Sequence, residues 1–252
     1  MAAQSDRVAI VTGSARGIGR GCAHALAQRG CALVLVDVLA AELARTRAEI
    51  EAIGRPCLVY EADVAMHARA RAVVDDIIRQ WGRIDVLVNN AGRAQPKGIT
   101  ELNEAEWDTT IDVNLKSCFN WIQPAVPHMR AARYGRIVSM SSLNAHSGGV
   151  TAAVSKFAYA AAKAGIIGMT RALAKELGPD ILVNCVCPGL IKTEVAGNAV
   201  IRDRESELVK GIALRRVGTP RDVAEVVAFL ATSEPCFVTG QDIIVDGLQW
   251  NR

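Results

Sequence analysis

Tyr159 and Lys163 stand four positions apart in FAYAAAKAGIIG, residues 157 to 168, a run otherwise made almost wholly of small and apolar residues. A phenol and an ammonium at that spacing share one helix face, one turn apart. The chemistry open to them is proton transfer at an alcohol oxygen. Hydride leaves an alcohol carbon readily only as the hydroxyl proton departs, so a base is needed within about 3 Å of that oxygen, with a pKa near the working pH. Free tyrosine sits about three units too high, roughly 4 kcal/mol of electrostatic work, and a neighbouring ammonium supplies part of it by favouring the phenolate. The chain has three tyrosines, and Tyr60 and Tyr134 are each followed four positions later by valine. Tyr159 alone heads a YxxxK. The alanines at 160, 161, 162 and 164 would let a flat cofactor approach the helix.

A pair of this kind needs a rigid frame. The chain of 252 residues is half hydrophobic with a net charge of +3, and its basic residues are scattered among acids. That pattern offers no basic face for nucleic acid and no anchor for a membrane surface. One domain spanning 1–252 is expected. The seven cysteines form no CxxC pair and no regular framework, so they read as small core residues of a reduced protein, and no metal site is expected. MAAQSDRVAIVTG lacks the pattern of a signal peptide and no window resembles a membrane span, which predicts a cytoplasmic location.

Short β-branched runs alternate with segments of helical period. The strands are expected at Val8–Val11, Ala32–Val36, Cys57–Glu61, Val86–Val88, Ile137–Met140, Leu182–Val186 and Ile243–Val245, and the helices near 17–29, 40–53, 66–80, 103–131, 155–177 and 220–232. This is an α/β pattern: a doubly wound, seven-stranded parallel sheet with helices on both faces. Glycines 30, 54, 82 and 178 are expected to cap helices, and Pro124 and Pro127 to kink or end the fourth. Residues 190–216 fit neither period and are expected to form a substrate lid.

The first strand runs into TGSARGIG, residues 12 to 19. A strand, a glycine turn and a helix N-terminus make an anion site, because bare backbone admits a pyrophosphate and unpaired N–H groups hold it. The spacing is GxxxGxG, neither the GxGxxG fingerprint nor a P-loop. Asp37 ends the second strand 18 residues after Gly19. A carboxylate there accepts from both ribose hydroxyls and repels a 2′-phosphate, which favours NAD over NADP. Arg16 argues the other way, since a guanidinium can pair with that phosphate. Asp63, after the third strand, could cap the next helix or accept from the adenine amino group.

These motifs resemble the classical short-chain dehydrogenases/reductases from Arg7 to about Gly247. TGSARGIG is similar to that family's coenzyme loop, NNAG at 89 to 92 to its fourth-strand motif, and YAAAK to its YxxxK. Asn114 in DVNLKS, the serine of SSLNAHSGG and Pro188-Gly189 complete the likeness. The resemblance implies a Rossmann-type fold and hydride transfer at a CH–OH or carbonyl carbon. It makes Tyr159 the acid/base, Lys163 its partner, Ser142 the holder of the substrate oxygen and Asn114 the link to a water behind Lys163. Ser142 lies 17 positions before Tyr159, more than the family's common spacing, with Ser139, Ser141, Ser147 and Ser155 close by. The extra residues enlarge the loop from Asn144 to Val154.

For the coenzyme, the resemblance implies Gly13, Arg16, Gly17, Ile18 and Gly19 around the pyrophosphate, Asp37 at the ribose, and Asp63 and Val64 at the adenine. Asn90, Gly92, Tyr159, Lys163, Pro188, Gly189, Ile191 and Thr193 would meet the nicotinamide half. It also implies a homotetramer, and Trp250 near the C-terminus could reach a neighbour's pocket.

Arg93, Asn144 and His146, with Gln95 and Ser147, are the substrate-side candidates. Their polarity points to a small polyol, sugar-derived alcohol or hydroxy acid. Two other readings stay open: an NADPH-linked 3-oxoacyl thioester reductase, and a non-catalytic dinucleotide-binding sensor or scaffold. Intact Asn114, Ser142, Tyr159 and Lys163 speak against the last, since a binder has no need of a proton path.

Overall fold

The computed structural model describes residues 6–149, 154–194 and 199–250. Seven strands appear where β-branched runs predict them: β1 (Val8–Thr12), β2 (Ala32–Asp37), β3 (Cys57–Glu61), β4 (Val86–Asn89), β5 (Gly135–Met140), β6 (Ile181–Pro188) and β7 (Asp242–Val245). All pairings are parallel, in the order β3-β2-β1-β4-β5-β6-β7. The chain winds outward from β1 in one direction and from β4 in the other. A crevice therefore opens at the carboxyl ends of these two strands.

Alternate residues of each strand serve opposite cores, as a period of two requires. Val8, Ile10 and Val34 pack under α3 (His67–Trp81), α5 (Ser117–Ala131) and α7 (Phe157–Leu177). Ala9, Val11, Leu33 and Leu35 pack under α1 (Gly17–Gln28), α2 (Ala40–Ala52) and α9 (Pro220–Thr232). Both faces of the central strands are thus dry, and β1 is buried at every position. Six of the seven cysteines are buried and none is in a disulfide among the described residues. No helix among them is long and apolar enough to cross a membrane.

The expected helix over 103–131 is interrupted. Asn103 and Glu106 form a reciprocal capping box that starts α4 (Glu104–Ile111), a π-helical turn follows at Asp112–Lys116, and α5 then continues. Neither Pro124 nor Pro127 ends α5, which runs on to Ala131 because buried Trp121, Ile122, Ala125 and Met129 hold it against the sheet. Gly30, Gly54 and Gly82 follow their helices with positive φ, whereas Gly178 is extended.

Part of the expected lid is regular: α8 (Ala199–Leu208) and a 3₁₀ turn at Val209–Gly211 occupy it, while residues 195–198 lie outside the described ones. In the Asn144–Val154 loop a short helix, α6 (Asn144–Ser147), is present, and 150–153 are likewise outside.

Candidate active site

A cleft of about 740 Å³ opens at the carboxyl ends of the strands. Gly13 turns the chain out of β1 with φ +64°, and Gly19 faces its carbonyl so closely that a Cβ would sit 2.0 Å from that oxygen. No other residue type fits there. Asn90 holds the turn by donating to the carbonyls of Thr12 and Gly13, each at 3.0 Å, while Thr12 Oγ1 accepts from the N–H groups of Asn90 and Ala91. The two motifs are therefore one clamp.

The clamp presents an anion site. The N–H of Gly17, first residue of α1, donates at 3.1 Å to Glu194 Oε1. Burial works to raise the Glu194 carboxyl, but the Gly17 N–H with Arg20 and Arg16 outweighs it and holds the group below the usual carboxylate range. A protein carboxylate thus stands where a phosphate oxygen would be held. That stand-in and the bare backbone at Gly13 and Gly19 fit the pyrophosphate of a dinucleotide.

At the adenine end, Asp37 accepts from Ala15 N at 3.0 Å through Oδ2 and from Val38 N at 2.8 Å through Oδ1. Its carboxylate is pinned to the glycine loop and still borders the cleft, as do Arg16, Ile18, Asp63 and Val64. Asp63 also closes a turn by accepting from Ala65 N at 2.9 Å. It does not cap α3, whose N-cap is Met66 with no side-chain cap, so of the two expected roles only its place on the cleft wall beside the adenine end remains open.

At the opposite end α7 presents Tyr159 and Lys163 to the cleft, with Lys163 Nζ 5.5 Å from the centroid of the tyrosine ring. Lys163 is 2 % exposed and donates to the Met140 carbonyl at 2.8 Å. That bond fixes Nζ beside the Tyr159 ring.

The clustered serines separate by what they touch. Ser141 Oγ donates to the Lys163 carbonyl at 2.8 Å, Ser139 Oγ accepts from Asn89, and Ser147 Oγ donates to the Leu143 carbonyl. Ser142 borders the cleft and, among the described residues, is engaged only as the acceptor of Asn144 N at 3.2 Å, which leaves its proton to donate. Ser155 borders the cleft too.

Asn114 lies in the π turn, 1 % exposed, and outside the wall of the main cleft. Its Oδ1 accepts from Arg93 N, and its Nδ2 donates to the carbonyls of Arg93 and Thr110, all at 3.0 Å. Both amide donors are spent, so Asn114 latches the segment after NNAG to the helix. Any water relay would be left with its remaining acceptor capacity.

On the substrate side Arg93 and Asn144 border the cleft together with Gly92, Pro188, Gly189, Ile191 and Thr193. His146 does not. Its ring turns toward β7, with Nε2 3.0 Å from Asp242 Oδ2, and stacks on Trp250 with centroids 5.4 Å apart. The stack sets the Trp250 ring against His146 of its own chain. Gln95 faces a separate cavity of about 350 Å³ and Ser147 is occupied in α6. Two further residues have no motif to announce them. Glu194, five residues past Gly189, meets the Gly17 N–H, and Gln249, on the cleft wall beyond the last strand, accepts through Oε1 from Leu190 N at 3.0 Å.

A family model described as enoyl-(acyl carrier protein) reductase matches residues 13–247. The (2S)-[(R)-hydroxy(phenyl)methyl]succinyl-CoA dehydrogenase subunit BbsD of Thauera aromatica is 41 % identical over 243 residues, 96 % of each chain. The chain belongs to the classical short-chain dehydrogenase/reductase family. This short-chain dehydrogenase/reductase is also 39 % identical over 242 residues to the 3-oxoacyl-[acyl-carrier-protein] reductase FabG of Thermotoga maritima, again over 96 % of each chain. Among solved structures, a short-chain dehydrogenase/reductase titled glucose/ribitol dehydrogenase from Brucella melitensis superposes with a TM-score of 0.89 at 32 % identity, with full coverage of both chains. Its membership of the family makes it an oxidoreductase that binds a nicotinamide dinucleotide.

Proposed function

We propose that this enzyme transfers hydride between NAD(H) and a secondary alcohol or the corresponding ketone, acting on a small polar molecule. The observation that carries the reading is the Tyr159–Lys163 pair, Nζ 5.5 Å from the ring, in a cleft that Asp37 borders as well. When bound, the nicotinamide supplies the carbon that accepts or gives the hydride.

The residues of the chain do the rest. The N–H groups around Gly17 and the bare backbone at Gly13 hold the pyrophosphate, and Asp37 accepts from the ribose hydroxyls. In the oxidative direction the Tyr159 phenolate takes the hydroxyl proton, and in the reductive direction its phenol returns it to the oxygen. Lys163, fixed at the Met140 carbonyl, keeps a positive charge beside that oxygen in both directions. Ser142 donates to the substrate oxygen and aligns it. Arg93 and Asn144 on the wall supply charge and amide contacts to a polar substrate. Asn114 acts at one remove by holding Arg93.

A second reading has its own support. Arg16 borders the cleft beside the loop that Asp37 pins, and FabG relatives reduce 3-oxoacyl thioesters by name. On that reading the coenzyme is NADPH and the substrate an acyl thioester. Initial rates on a panel of polyols, hydroxy acids, simple ketones and 3-oxoacyl thioesters, each with NAD(H) and NADP(H), separate the two. Turnover confined to thioesters with NADPH would replace the first reading by the second. An assembly of four copies in solution is part of the proposal, and mass measurement reads it directly.

A further inference from the structure

We propose that His146, Cys187 and Asp242 form a site for one zinc ion, outside the catalytic cleft. An imidazole nitrogen, a thiol sulfur and a carboxylate oxygen, one from each residue, all lie within 4.8 Å of one another. Zinc with bonds of about 2.0 to 2.3 Å sets its ligands roughly 3.3 to 3.8 Å apart, so small side-chain rotations suffice to close the shell. The donor set suits a borderline-soft cation, and a thiolate with a carboxylate neutralises its two charges.

The three residues sit on elements that cannot drift apart. Cys187 is fully buried near the end of β6, Asp242 begins the adjacent β7, and His146 lies in α6. Arg171 Nη2 donates to Asp242 Oδ1 at 2.8 Å, which turns Oδ2 toward the imidazole, and Trp250 stacks on the ring. Such outer contacts orient ligands in metal sites. His146 Nε2 is buried and makes no well-formed hydrogen bond within the described residues, although Asp242 Oδ2 is 3.0 Å away. Water would complete the tetrahedron. The ion would tie α6, which carries Asn144 on the cleft wall, to β7 and the tail that carries Gln249.

The test uses the full chain, stripped with chelator and then titrated with Co²⁺ as a probe and with Zn²⁺. The site predicts one zinc per chain, a thiolate-to-cobalt charge-transfer band with tetrahedral d–d absorption, and a melting temperature raised by several degrees at zinc well above its dissociation constant. Cys187→Ala and His146→Gln should each lose the band and bind zinc about 100-fold more weakly or worse, while Cys236→Ala keeps both. Substoichiometric zinc, a cobalt spectrum without the thiolate band, or unchanged affinity in either variant overturns the proposal and leaves an ion pair only. If Cys187→Ala does not fold, His146→Gln decides alone. Metal content is read without coenzyme or substrate, so failure here is separate from failure of the proposed activity.

Discussion

The Gly17 N–H donates to the Glu194 carboxylate at 3.1 Å, at the first residue of α1, where the helix dipole also favours an anion. On the proposed placement of the coenzyme its pyrophosphate takes the same N–H, so binding displaces the carboxylate and the free enzyme holds its own competitor. Glu194→Gln should therefore bind NAD⁺ roughly two- to fivefold more tightly, a modest gain because a half-exposed charge is screened by solvent. Calorimetric titration at low salt checks it, and weaker binding by the variant would show that Glu194 supports the coenzyme instead.

Asp37 joins the glycine loop to the end of β2 through Ala15 N and Val38 N. Asp37→Asn removes the charge while keeping an acceptor for part of that network. The ratio of kcat/KM with NAD⁺ to that with NADP⁺ should fall about tenfold or more, since a carboxylate beside a 2′-phosphate is repulsive by a kcal/mol or more at effective dielectrics near 20. An unchanged ratio would remove Asp37 as the selector.

Ser141 and Ser142 are adjacent and do different work. Ser142→Ala should lower kcat/KM about 100-fold through loss of a donor to the substrate oxygen. Ser141→Ala should cost about 1 kcal/mol of stability through the lost bond to the Lys163 carbonyl, with kcat changed less than tenfold. Thermal melts beside steady-state kinetics separate the pair, and the reverse pattern would exchange their roles.

Asn114→Ala breaks the latch on Arg93 from both sides. Turnover should fall by an order of magnitude or more with NAD⁺ binding kept within about twofold, because a small misplacement of substrate-side groups costs rate before it costs coenzyme affinity. Equal losses in the two would count against a positioning role.

The Arg216 guanidinium grips both oxygens of Asp222, and Thr219 donates to the same carboxylate at the start of α9. The Arg216 hydrogen bond first, against burial, and then Thr219 hold the Asp222 carboxyl well below its usual range. A depressed folded pKa means the contribution is complete above the unfolded value, near pH 4, and is lost as pH falls toward the folded one. Asp222→Asn should lower the melting temperature by about 2 to 4 °C at pH 7, as loss of a helix cap in a domain of this size does, and by less at pH 3. A gap that is constant with pH would show the charge to be idle.

Legibility in the sequence followed periodicity and local chemistry. β1 to β7 were readable because parallel strands buried on both faces are continuous β-branched runs, and α7 because Tyr159 and Lys163 share its period. Gly13 and Asp37 were readable because backbone geometry and charge at a strand end have few other uses. What stayed hidden depends on tertiary packing. The π turn at Asn114 has no composition of its own, and the prolines of α5 are overridden by Trp121 and Met129 beneath them. The orientation of His146 is decided by Asp242 and Trp250, both nearly a hundred residues away in sequence or more, and Glu194 meets Gly17 across 177 residues of sequence. No local signal encodes such meetings.

The central claim, that Tyr159 moves the proton, is tested most directly by the turnover of Tyr159→Phe on whichever secondary alcohol the wild type oxidises fastest, at saturating NAD⁺. The account predicts that kcat falls 100- to about 10,000-fold, that NAD⁺ binding stays within about threefold, and that raising the pH does not restore the rate. Turnover close to wild type would contradict it.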